Sequence, residues 1–482
     1  MAHLAKAAAI FMTTAAVAGC TVGPDYLLPK EAKYNASAAQ AGFAGARNNP
    51  AVQAGELPAG WWRLYRSPDL DRLVTAALAE NTDLRVANAN LERSRAMVEL
   101  VKTQQQPDVA FGGAIARTQF SSEEYLSPLR LPPLNIYDIS LTASYDTDLF
   151  GRIRRGIEAA EADDDAIEAA RDWVRVSVAA DVTRAYLEIC TAGDELAVAR
   201  HSVELQRQSL AVTRQLEEGG KKTSLDVTRS QALVDQLQSS IPAIDARRRN
   251  ALYQLATLTG KPPAEFQANL AKCASAPPLH APIPVGDGAA LLRRRPDVRE
   301  AERQLAASVA EIGVATADLY PRVVLNASAL SIGKTGDFLT YPTNGWSFGP
   351  GLSWELNQSA PRARIAAATA AQKMQLAHFD GVVLGALRDV ETALNVYSHD
   401  LQQRASLSAS RDEAAKAVAD AGLLEADGRG DPLATLDAER TLAAAESALA
   451  AIRARIAVDQ VTLFRALGGG WETPPHSQAK RS

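Results

Sequence analysis

Three cysteines and six histidines are the side chains of this 482-residue chain most able to do chemistry, and their spacing permits little of it. The histidines are scattered without ligand spacing, and no Gly-x-Ser-x-Gly, phosphate loop, dinucleotide fingerprint or His-Glu-x-x-His occurs. Nucleophilic catalysis, phosphoryl transfer and metal-assisted hydrolysis therefore lack the residues they need, and no enzyme, cofactor or metal is expected. Charged residues make up 22% with a formal net charge of -5, which offers no basic field to nucleic acid, and aromatics at 6% are too few for stacking platforms.

Cys20 is the one reactive group whose flanks predict a reaction. Lys6 supplies a positive charge, Ala7 to Val17 an apolar run, and Val17-Ala18-Gly19-Cys20 a small-residue cleavage site, all too short to cross a membrane and so read as a secretory signal over 1–19. The Val-Ala-Gly-Cys ending looks like a bacterial lipobox, which implies cleavage before Cys20 and covalent lipid on its thiol and new amino terminus. Each buried methylene adds roughly 0.8 kcal/mol, so several acyl chains make a stable anchor. Thr21 and Val22 include no aspartate of the inner-membrane retention kind, which favours the outer membrane. Cys190 and Cys273 would share an oxidising compartment. One sits in a helical run and the other in a Pro-rich connector, so two unpaired thiols are expected.

The elements that position these residues come in two copies. Asn81-Thr82-Asp83-Leu84-Arg85 leads to Pro107 and Val109, and Arg295-Pro296-Asp297-Val298-Arg299 leads to Pro321 and Val323, at a constant offset of 214 (Asp83 to Asp297, Pro107 to Pro321). An ungapped offset means one structural unit used twice. After each copy come two alternating segments, predicted as strands at about 109–119 and 137–149, then about 322–332 and 345–357. Tyr137, Ile139, Leu141, Ala143 and Tyr145 alternate with Asp138, Ser140, Thr142 and Ser144; Trp346, Phe348, Leu352 and Trp354 repeat the pattern, with Pro350 predicting a bulge or an unpaired position. Strands of 9 to 11 residues span a bilayer when tilted. Four cannot close a barrel alone, because about eight is the usual minimum.

Pro-free runs follow, Arg152 to Glu218 and Arg362 to Asp427. At 1.5 Å per residue, such a run is a rod of roughly 100 Å. Each ends in a tight break, Gly219-Gly220-Lys221-Lys222-Thr223-Ser224 or Gly428-Arg429-Gly430-Asp431-Pro432, and a returning helix capped by Ser224 or Asp431 follows. The long helical hairpins run over about 152–259 and 362–467. The chain thus divides into the signal 1–19, a lipid-anchored N-terminal extension 20–66, a first repeat 67–272, a Pro-rich connector 273–286, a second repeat 287–470 and a tail 471–482. Beyond the signal, no apolar run reaches the length of a transmembrane helix.

With these elements the chain resembles the TolC-type family of trimeric outer-membrane efflux ducts, lipoprotein branch. The matching residues are Cys20-Thr21-Val22-Gly23-Pro24-Asp25-Tyr26, Asp148-Leu149-Phe150-Gly151-Arg152, Arg294-Arg295-Pro296-Asp297-Val298, Thr435-Leu436-Asp437-Ala438 and Leu463 to Trp471, in family order. The resemblance implies an α+β membrane protein: a homotrimer in which four strands per chain form a shared 12-stranded barrel, with a long helical tunnel in the periplasm. It implies as partners a periplasmic adaptor protein and an inner-membrane efflux pump, in a Gram-negative outer membrane. In that family acidic side chains near the hairpin tips narrow the tunnel. The matching position is Asp437, with Leu433 one turn earlier on the same face and Asp226 equivalent in the other copy. A solvated helix face, or an ion pair with Arg440, is the bland alternative for Asp437. The tips Gly219, Gly220, Gly428, Arg429 and Gly430 are the implied adaptor contacts. Two departures stand out: Asn357 to Arg362 lacks the aromatic-Asp-Gly-Arg corner, and Ala434 replaces a second tunnel aspartate. A lipid-anchored periplasmic helical scaffold without a channel is the competing function.

Overall fold

The computed structural model describes residues 21–471 except positions 48, 125, 127, 428 and 431, so Cys20, Gly428 and Asp431 lie outside the described residues. Nine helices carry the argument: α1 (Pro68–Glu80), α2 (Thr82–Lys102), α3 (Arg152–Glu218), α4 (Ser224–Ser239), α5 (Ile241–Leu258), α6 (Gly288–Arg294), α7 (Pro296–Ala317), α8 (Ser359–Ala426) and α9 (Pro432–Ala466). The strands are β1 (Asp108–Thr118), β2 (Leu134–Asp146), β3 (Arg322–Lys334) and β4 (Asn344–Ser353). Two compact units form, each from both repeats: a strand unit (up to Pro29, Leu91–Ile167, Glu300–Phe379) and a helical unit (Lys30–Asn90, Glu168–Arg299, and from Asp380 on).

In the strand unit the four strands pair antiparallel in sequence order, leaving β1 and β4 as edges. The register puts Phe111, Leu141, Ala329 and Trp346 in one row and Ala110, Thr142, Ser328 and Ser347 in the next. Because side chains alternate across a strand, one face of the sheet is apolar and the other is rich in hydroxyls and glycine. The rings of Phe111, Trp346 and Phe348 stand 73%, 83% and 72% exposed on the apolar face. Leu134, Ile136, Leu330 and Ile332, near the loop end, and Val324, near the other end, are the larger apolar exceptions on the polar face.

Pro350 forms no bulge. It sits opposite Leu325 in a register unbroken from Arg322–Ser353 to Ser331–Asn344. On an edge strand that pairs on one side only, a missing N–H is tolerated. β2 begins and ends three residues before the predicted 137–149, since Asp148 (φ 46°) and Gly151 (φ 77°) turn the chain into α3. In that turn the Asp148 carboxylate accepts the backbone N–H groups of Ile153 and Arg154, at 2.8 and 3.0 Å, and so caps the first turn of α3. The other corner differs as its sequence implied. Asn357 Oδ1 accepts both the N–H and the hydroxyl of Ser359, and no residue there has positive φ. The segment after Cys20 is also fixed: Arg155, buried, donates to the carbonyls of Val22 and Gly23 and to Asp25.

The helical unit explains why the two copies keep their motifs. Asn81 Nδ2 donates to the Leu258 carbonyl at the end of α5, and Arg295 Nη1 donates to the Ala466 carbonyl at the end of α9. Each buried side chain thus satisfies an orphan carbonyl at a helix C-terminus. Gly260 and Gly468 follow those ends with φ of 75° and 69°, where a Cβ would strike Glu80 O at 2.8 Å and Arg295 Cγ at 2.7 Å. The carboxyl-terminal motif is held likewise. Trp61 stacks on Phe464 at 4.5 Å, donates to Gly469 O, and shares one core with Tyr65, Leu187 and Leu467.

Cys190 and Cys273 form a disulfide, contrary to the expected free thiols. The connector passes directly over α3, with Cα atoms of the two cysteines 4.7 Å apart. Gly193 permits this, since a Cβ there would lie 2.0 Å from Cys273 O. The first returning helix is also interrupted, at Ser240 between α4 and α5. Pro242 cannot donate to the carbonyl four residues back, which accounts for the break; α9, with no internal proline, runs unbroken for 35 residues.

Candidate gate at the hairpin tips

The first tip is built by glycine and a cap. α3 ends at Glu218, Gly220 takes φ 71°, and Lys221 N–H returns to Leu216 O at 2.7 Å, which closes the helix end. α4 is capped by Thr223 rather than Ser224: the Thr223 hydroxyl accepts Asp226 N–H while the Asp226 carboxylate accepts Thr223 N–H, a reciprocal box. Those bonds from the Thr223 N–H and hydroxyl hold the Asp226 carboxyl below its ordinary value, so it stays ionised while it caps. At the second tip, Arg429 N–H reaches Leu424 O at 2.9 Å, and a Cβ on Gly430 would meet Glu425 N at 2.6 Å. α9 starts at Pro432 as expected.

Asp437 and Leu433 stand exposed on α9 one turn apart. Among the described residues the Asp437 carboxylate has no ion-pair partner; Arg440 does not bond it, and the backbone carbonyl of Asp437 takes the Thr441 hydroxyl. Leu433 and Asp226 line one cavity of about 740 Å³ between the two hairpins, and Asp437 lies outside its lining.

That cavity holds charged groups that the motifs did not single out. Lys222 Nζ bonds Glu425 Oε1 at 2.7 Å, joining the first tip to the end of α8, with both side chains largely buried. Burial pushes the Glu425 carboxyl up, but the Lys222 ammonium outweighs it and leaves the group below its ordinary value. Glu439 faces the same cavity and accepts the Ser209 hydroxyl at 3.1 Å. Burial raises its carboxyl despite that bond, with Glu425 adding to the rise. The paired lysines of the tip were the only sequence signal for this contact, and nothing in the spacing pointed to Glu425.

The model of a family described as outer membrane efflux protein matches residues 73–261 and 289–469, one stretch in each repeat. The solvent efflux pump outer membrane protein SrpC of Pseudomonas putida is 30% identical over 94% of this chain and 96% of its own length. The probable outer membrane lipoprotein SilC of Salmonella typhimurium is 27% identical over 86% of this chain and 88% of its own. Among solved structures, the outer-membrane channel OprN superposes with a TM-score of 0.86 at 34% identity, over 94% of this chain and 100% of that one.

Proposed function

Since the chain belongs to the outer membrane efflux protein family, we propose that it is a lipid-anchored duct gated at its hairpin tips, receiving cargo from an inner-membrane pump through a periplasmic adaptor. Three chains contribute four strands each to one twelve-stranded barrel in the outer membrane, and the paired helices form the periplasmic tunnel. The observation that carries the reading is the open four-stranded sheet with its exposed aromatic face. A water-soluble scaffold would leave Phe111, Trp346 and Phe348 in water, whereas a shared barrel turns them to lipid and pairs both free edges.

In this reading Cys20 carries the covalent lipid, and no other prosthetic group is needed. Asp437 forms a threefold carboxylate ring, with Leu433 as an apolar constriction beside it. The unpaired state of the Asp437 carboxylate supports this, because an uncompensated ring concentrates negative charge in the pore and attracts cations. Asp226 adds fixed negative charge near the cavity while it caps α4. The adaptor would dock on the tips at Gly219, Gly220, Arg429 and Gly430, of which Gly219, Gly220 and Arg429 are exposed; Gly428, outside the described residues, belongs to the same proposed contact. Conductance of the purified lipidated trimer across planar bilayers tests the duct: pores are expected, and Asp437→Ala is expected to raise conductance or lower cation preference. A protein that never conducts, wild type or variant, overturns the duct; unchanged conductance and selectivity in the variant removes Asp437 from the gate.

A further inference from the structure

The loop end of the sheet carries a cation on the face that should be purely apolar. Along β1 the apolar face runs Val109, Phe111, Gly113, Ile115 and then Arg117, the last residue of that face before the strand ends at Thr118. Arg117 is exposed, and its hydrogen-bond partner among the described residues is Asn135, opposite it on β2, at 3.3 Å. No carboxylate within ion-pair distance compensates it among the described residues. A guanidinium on a lipid-facing stripe is costly at the bilayer centre and tolerated only at the level of the headgroups.

The same rim is built up by the loop between β3 and β4, which folds back over this face. Tyr137, on the apolar face opposite Ile115, is buried by it. The Tyr137 hydroxyl bonds Ser331 and Thr343, accepts Leu339 N–H at 2.9 Å, and its ring lies 4.8 Å from that of Phe338. The pinned loop then presents Phe338, Leu339 and Tyr341 outward, 51%, 54% and 93% exposed. An exposed shelf pinned over Tyr137, two residues along the strand pair from the uncompensated Arg117, matches an amphiphile with acyl chains below and an anionic head above.

We propose that the outer rim, centred on Arg117 with Asn135 and the Phe338–Tyr341 shelf, binds the phosphorylated headgroup of an outer-leaflet lipid. The planar fork of Arg117 receives the phosphate, and the shelf packs on the sugar and upper acyl chains. Lys334 supplies the internal control: it lies at the same end of the sheet but opposite Ile136, on the polar face turned to the lumen.

The test uses the full-length trimer in mild detergent, titrated with bisphosphorylated lipid A and followed by native mass spectrometry and thermal shift. Arg117→Gln is expected to weaken retention about tenfold, the loss of one bidentate charge-assisted contact. Arg117→Lys should fall between, and Lys334→Gln should bind as wild type does. Equal retention by wild type and Arg117→Gln, or an equal loss in Lys334→Gln, overturns the site. Competition by inorganic phosphate alone, or equal binding of a dephosphorylated lipid A, overturns the assignment to a phosphorylated lipid. Should Arg117→Gln fail to trimerise, the Arg117→Lys titration decides, a wild-type affinity there being the negative result.

Discussion

At the residue scale, the most strongly raised carboxyl lies along the second hairpin. Arg455 of α9 donates to both oxygens of Asp400 on α8, and Asp459 stands one turn further along α9 with one oxygen buried and unbonded. Burial, then hydrogen bonding and charge from Asp400, push the Asp459 carboxyl up to about 7, against the pull of Arg455. Arg184 on α3 and Tyr397 on α8 complete the polar surroundings, through Thr462 and Gln460. A carboxyl raised above its unfolded value of 3.8 costs nothing near pH 4 and loses stability as pH climbs through about 7. Allowing for solvent screening of a half-exposed group, the loss is on the order of 1–2 kcal/mol per chain. Asp459→Asn should therefore melt above wild type at about pH 8 and level with it at about pH 4; an equal gap at both values would refute the coupling. No sequence pattern announces such a pair, since Asp400 and Asp459 meet only when α8 and α9 pack. The place of Asp437 on the returning helix was legible because its motif is local, whereas the service of Asp226 to Thr223 depends on where α4 starts.

At the element scale, legibility follows how local the determinant is. The first long helix runs from Arg152 to Glu218 as expected, because no proline lies in between and the Gly219-Gly220 turn closes it. The break at Ser240 follows from Pro242, a local signal whose weight only the continuous α9 makes plain. The Cys190–Cys273 bridge was hidden, because 83 residues separate the thiols and only the path of the connector over Gly193 joins them. Nor could spacing reveal Lys222–Glu425, which ties one hairpin to the other. That tie makes a prediction about motion. Glu425, held below its ordinary value, keeps the link at neutral pH and loses it as pH falls through that lowered value. Wild-type conductance should then rise in acid. In Lys222→Gln it should already be raised at neutral pH, with a flatter acid response. Identical pH profiles would show that the link does not restrain the tips.

At the scale of the whole molecule, duplication supplies a geometry that one copy cannot. Each repeat gives two strands and a helical hairpin, too little to close a barrel; six repeats in a trimer give twelve strands and no free edge. The sheet then separates two solvents, and adjacent residues on one strand meet different ones. Phe348 and Ser347 lie near the middle of β4 on opposite faces. An arginine on the lipid face near the bilayer midplane costs about 2–4 kcal/mol, whereas a lumen position meets water. Phe348→Arg, repeated three times around the barrel, should therefore abolish the membrane-inserted trimer while far-ultraviolet circular dichroism retains the helical signal of the periplasmic hairpins. Ser347→Arg should insert normally and shift ion preference toward anions. If the two variants insert equally well, the face assigned to lipid does not face lipid, and the closed barrel built on that alternation cannot stand.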